Sequence, residues 1–237
     1  MRLDLRGLPL LDSAFPTGAF AHSFGLETAV REGRVSGPGE LRRWLEASVW
    51  AGTGRTDGVG VFCAHAVVSG GGLTSPGSLG EERLQEVDRR LTLIRLARES
   101  REGSVKIGRR YVRLAEAVYP EAGIERYRRW IEEGGCFGQA PVVHGWLWAH
   151  LGGGAEDAVA GYLYAGVVGV VQCALRLSVV GQTDAQRTIR DLLPDVEAAA
   201  GEIVRLRPEP WQMGAACVFQ EVAGIRHETL YSRLFMS

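Results

Sequence analysis

Apolar residues return at helical spacing along almost the whole chain. Leu41, Trp44, Leu45 and Val49 share one face of residues 38–51, and Pro38 stands where a first helical residue is expected. Leu84, Val87, Leu91 and Ile94 form a second stripe within 81–97. Val105, Tyr111, Val112, Leu114 and Val118 mark a helix over 104–118 that Pro120 ends. Shorter helices are expected over 123–133 and 141–151, the latter opened by Pro141 and closed by Gly152–Gly154. Further helices are expected from about Asp184, from about Pro194 to Arg207, and over 212–227. No alternating apolar run flanks an Asn-Gly or Asp-Gly turn, since Asp57-Gly58 falls between helical segments. The pattern predicts an all-α, single-domain bundle of about ten helices over 1–237, with an extended N-terminal segment 1–22 and a tail 229–237. The glycine- and serine-rich stretch Ser69–Gly80 reads as a flexible loop, not a domain boundary.

The run from Ala158 to Leu175 carries no charge and reaches the length threshold for a membrane span. Gly161, Gly166 and Gly169 interrupt it, Gln172 is polar and Arg176 follows directly. Gly161, Ala165, Gly169 and Cys173 put small residues along one face. We read a buried central helix that neighbours approach closely, with no membrane association.

The chain has 237 residues, 46% of them hydrophobic, which suits one sizeable core. Its formal net charge of -1 argues against nucleic acid as a partner. Cys63, Cys136, Cys173 and Cys217 are scattered without a CxxC pair, and the N-terminus lacks a continuous apolar signal region, so a reduced, cytoplasmic setting is expected.

Searches for chemistry return little. A P-loop requires glycine and lysine at fixed spacing around phosphate, and Lys106, the only lysine, lies in GSVKIG. GTGRTDGVG at 52–60 has the wrong glycine spacing for a dinucleotide site and reads as a turn with Thr56 or Asp57 as helix cap. No HExxH or paired-cysteine motif accompanies His22, His65, His144, His150 and His227, which read as surface or satisfied core residues. Cys63 and His65 are about 200° apart on a helix and cannot chelate together. No Gly-x-Ser-x-Gly elbow is present, and Ser23 beside His22 reads as a helix cap. Between Glu81 and Trp130 arginines and acids interleave as solvated helix faces with local ion pairs, leaving a modest positive excess for an acidic partner. The tail ETLYSRLFMS places Tyr231, Leu234 and Phe235 around Arg233. These are residue types of docking segments, though a tail packed on its own core fits equally.

The segment LDSAFPTGAFAHSFGLETAVREGRV at 11–35 resembles the N-terminal signature of UreF, the urease accessory protein family. A Pro-x-Gly turn, an aromatic and Ser-x-Gly-Leu-Glu appear here as Pro16, Gly18, Phe20, Ser23, Gly25, Leu26 and Glu27. PVVHGW at 141–146, GQTDAQR at 181–187 and the ending HETLYSRLFMS are similar to further family segments; Ala19 departs from the glycine of many relatives. The resemblance implies an all-α homodimer that is not an enzyme and binds no cofactor or metal itself. It implies partnership with a UreD/UreH-type protein and the GTPase UreG, the complex delivering nickel to apo-urease. It also implies a partner surface at Phe15, Pro16, Gly18, Phe20, Ser23 and Glu27, and a docking tail at Tyr231, Arg233, Leu234 and Phe235. An alternative expectation is regulation of the GTPase, for instance through an arginine finger.

Overall fold

The helical periodicity resolves into a bundle in which α3 and α7 form the innermost pair. The computed structural model describes residues 5–12, 15–73 and 77–237; part of the Ser69–Gly80 loop and the first four residues lie outside them. In chain order the helices are α1 (Leu26–Arg31), α2 (Pro38–Ala51), α3 (Val59–Ser69), α4 (Leu79–Leu93) and α5 (Arg98–Val118). They continue as α6 (Glu125–Glu132), α7 (Ala140–His150), α8 (Ala155–Arg176), α9 (Gln182–Leu206) and α10 (Val218–His227). Among the described residues there is no strand. One apolar core joins the helices. Leu5–Leu10 and Ala19–Ala21 form 3-10 turns, so these parts of the N-terminal segment do not run extended.

Small residues set the packing at the centre. A Cβ on Gly145 of α7 would lie 2.4 Å from the Val61 carbonyl of α3, so only glycine allows this backbone approach. α7 buries Val142, Val143, Trp146 and Leu147, and α3 buries Val61, Cys63 and Ala64. α8, expected as a central helix, packs against α9, α3, α7, α2 and α1. Its inner face, with Leu163, Val167 and Val171, meets α9 and the core, while Gly166 and Gly169 look into open space. The small stripe is therefore split: Gly161 lies under Leu11, Cys173 donates to the His22 carbonyl, and Gly169 is uncovered. α8 is, among the described residues, the one helix long and apolar enough to cross a membrane, but 39% of its most apolar window is buried within the protein.

Three local expectations are corrected. The helices expected from Asp184 and from Pro194 are one, because Pro194 lies on the solvent face of α9, where its missing N–H disturbs no buried contact. α5 starts at Arg98, about two turns before Val105, the first apolar residue of its stripe. Thr56 and Asp57 do not cap a helix: they lie within a π-turn, Gly54–Gly58, that runs straight into α3. Asp57 there is buried against Arg95 (2.6 Å), with Thr56 and the Tyr162 hydroxyl as further donors.

Candidate functional site

The two ends of the chain meet. Gly18 and Gly25 adopt left-handed backbone (φ 84° and 89°), bracketing a turn that carries Phe20 outward and brings Ser23 inward. A Cβ on Gly25 would stand 2.8 Å from the Gly224 nitrogen, so Gly25 also lets α1 close on α10. The last residues lie along 21–24. Met236 donates its N–H to the Ala21 carbonyl at 2.8 Å, and the main-chain oxygen of Ser237 accepts from Ser23 N (2.6 Å), Phe24 N (3.0 Å) and Ser23 Oγ (2.8 Å). His22 Nδ1 pairs with Ser237 Oγ at 2.8 Å. Burial first, then the nearby charges of Lys106 and His227, hold the His22 imidazole below its ordinary value.

Behind this strap is a buried charge relay. Glu27, fully buried on α1, accepts the main-chain N–H groups of Leu234 (2.8 Å) and Phe235 (3.0 Å). Its Oε2 also faces His227 Nε2 at 3.3 Å, while His227 Nδ1 meets Glu99 of α5 at 2.7 Å. Each ring nitrogen of His227 thus faces a carboxylate oxygen. Arg233 closes the chain of charges on Glu99 Oε1 at 2.6 Å. Burial would raise the Glu99 carboxyl, but hydrogen bonds from His227 and Arg233 outweigh it and hold the group below its ordinary value.

These contacts sort the residues expected to face a partner. Pro16, Phe20, Tyr231, Arg233 and Leu234 are exposed, Tyr231 completely. Gly18 is half-buried beside the Arg110 guanidinium. Phe15 is half-buried with its ring edge-on to Tyr111 at 5.4 Å, which gives it a packing role. Ser23, Glu27 and Phe235, expected at a surface, are interior because the tail covers the first two and buries its own phenyl ring under Arg176. Ser23, expected as the cap of α1, is not at the cap position, which Gly25 holds, but its hydroxyl still accepts the Glu27 N–H at 3.3 Å.

Sequence reasoning missed His227, Glu99 and Arg176. Each finds its partner more than a hundred positions away, so no local spacing announces it. It also missed Asp88, a buried carboxylate of α4 that accepts from the Tyr127 hydroxyl and from the main chain of Phe137, Gly138 and Gln139, fixing the entry to α7. The arginine-rich stretch behaves as expected for the most part: Arg89 pairs with Glu86, and Arg128 with Glu116 and Glu132, on helix surfaces. Among the described residues, no three His, Cys, Asp or Glu side chains gather as a metal cluster.

Known proteins similar to this chain agree with one another. A family model described as UreF matches residues 35–193. The "Urease accessory protein UreF" of Arthrobacter sp. (strain FB24) is 34% identical over 96% of this chain and 94% of its own length. The protein of the same description from Bacillus sp. (strain TB-90) is 32% identical over 96% of both chains. That from Kocuria rhizophila is 33% identical over 97% of this chain and 95% of its own. The family model leaves out both the Pro16–Glu27 signature and the tail, whereas the pairwise matches extend over nearly the full length.

Proposed function

This chain belongs to the UreF family of urease accessory proteins, and from that premise we propose that it is a non-catalytic scaffold. In this reading it assembles a UreD(UreH)–UreF–UreG complex that delivers nickel to apo-urease in the cytoplasm. Nickel is the cargo, and GTP is bound by the partner GTPase. The observation that carries the reading is the joining of signature and tail. The glycine turns, Ser23 and Glu27 act as positioning residues that tie the tail to the signature while Phe20, Tyr231, Arg233 and Leu234 stay exposed.

The homodimer belongs to the same proposal. The side of α8 where Gly166 and Gln172 are exposed, and where a Cβ on Gly166 or Gly169 would meet no atom within 4 Å, offers a face on which two backbones approach closely. The scaffold reading is tested by co-purification of the tagged full-length chain from a urease-producing host. Recovery of the UreD/UreH-type protein and the GTPase is expected, and recovery of neither overturns it.

A further inference from the structure

Three arginines from three separate elements converge on one cleft beside the strapped tail. The cleft measures about 340 Å³ and lies between Val30 and Arg31 of α1, Arg176 and Leu177 at the end of α8, and Arg233 and Leu234 of the tail. Among the described residues no carboxylate lines it, and those that Arg31 and Arg233 approach from it are already engaged. Glu27 faces the tail amides and His227, and Glu99 is held by His227 and Arg233.

Arg31 comes no nearer than 3.9 Å to Glu27 and leaves half its side chain exposed. Arg176, among the described residues, has no carboxylate within ion-pair distance. Its Nη1 donates to the neutral carbonyl of Phe20 at 2.6 Å, and its guanidinium lies 4.4 Å above the Phe235 ring. A guanidinium carries five N–H donors in a planar fork suited to a carboxylate. Most of the Arg176 donors therefore point at no anion.

We propose that this cleft binds an acidic segment of a partner protein, with Arg176 and Arg31 receiving its carboxylates. The proposal rests on the scaffold reading and names the chemistry that its surface recognises. Val30, Leu177 and the half-exposed Leu234 give the cleft aliphatic walls. Inorganic phosphate has nothing to place against such walls, whereas an Asp or Glu flanked by Leu, Ile or Val fills both the cationic and the apolar part. Nucleic acid is disfavoured by the chain's net charge of -1.

The test uses the full-length chain co-expressed with its UreD/UreH-type and GTPase partners. Neutralising the cleft with Arg31→Gln and Arg176→Gln is expected to weaken partner retention by about tenfold or more at low salt, and the difference from the wild-type chain should narrow as salt is added. Arg176→Lys keeps the charge and is expected to retain binding. Because Lys106 is the only native lysine, carbodiimide coupling of that R176K complex gives a clean second measurement: residue 176 is expected to be joined to an Asp or Glu of a partner protein. Unchanged circular dichroism and melting show that the neutralised chain is folded; where it is not, the R176K coupling decides. If partners co-purify with the wild-type chain but are retained equally by the neutralised one, or if coupling joins position 176 only to a second copy of this chain, the cleft proposal is overturned and the scaffold reading stands. If no partner accompanies the wild-type chain, both are overturned.

Discussion

Glu27 and Phe235 are joined across 208 positions by a 3.0 Å hydrogen bond from the Phe235 N–H to the buried Glu27 carboxylate. With the parallel bond from Leu234, it turns the chain's last residues into part of the α1–α10 layer. A tail held this way is ordered before it meets a partner, so the conformational entropy of arranging it is not charged to binding.

Replacing Glu27 should release that arrangement. Glu27→Ala takes the partner from His227 Nε2 and the acceptor from the Leu234 and Phe235 N–H groups. A buried hydrogen-bonding group left without its partner costs about 1–3 kcal/mol. We expect a matching fall in the urea midpoint at unchanged slope, and limited proteolysis that trims the tail from the variant but not from the wild-type chain. A tail that stays protected would show that Phe235 burial alone retains it.

Deleting residues 229–237 should abolish partner retention while leaving helix content intact by circular dichroism. The structure adds a second expectation. The truncated chain should also melt at a lower temperature, because it loses the buried Phe235 ring, worth about 1.5–3 kcal/mol, and strips Glu27 of two donors. Retained binding would show that the docking surface lies elsewhere.

Stability should fall as pH drops from about 6.5 to about 4. Burial pushes the His144 imidazole down to about 4. Its ring stacks on Trp148 and meets the edge of Tyr162, and no hydrogen-bond partner reaches Nε2. In this window the unfolded chain binds a proton that the folded chain refuses, so protonation favours unfolding; below about 4 both forms are protonated and the loss is complete. Its size is on the order of 3 kcal/mol. His22, also held low, adds a loss of the same sign. Urea denaturation across this range should be flatter for His144→Phe, which keeps the stacked ring and removes the proton. The same steepness in the variant would assign the effect to other groups.

The fold was legible because helices write their period into consecutive residues: the stripe Leu41, Trp44, Leu45, Val49 maps directly onto α2. The charge-free run 158–175 pointed to a helix inside the bundle, and α8 does meet α9, α3 and α7; that Gly166 and Gly169 stay open while Gly145 brings α3 and α7 together left no mark in the run. At the site, Gly18, Gly25 and the aromatics could be picked out as a turn entering a helix. That Ser23 and Glu27 are occupied by the chain's own tail could not, since a hydrogen bond from residue 27 to residue 235 leaves no trace in local spacing. Arg176 was passed over as the residue ending an apolar run, and only its placement over Phe235 shows that its charge is uncompensated.

The open face of α8 yields a prediction in which stability and assembly separate. A Cβ at Gly169 meets no atom within 4 Å in the single chain, so Gly169→Arg introduces no clash there. Removing a mid-helix glycine should even favour α8 by about 0.5–1 kcal/mol. If two copies pack across this face, the same arginine places a long cationic side chain where backbones must approach. Size-exclusion chromatography with light scattering should then give twice the 25.7 kDa chain mass for the wild-type protein and the single-chain mass for the variant. The melting temperature measured at low concentration, where both are dissociated, should be equal or higher for the variant. A variant that remains dimeric would move the interface off α8, and one that melts lower as a monomer would mean that this face is covered by the chain itself.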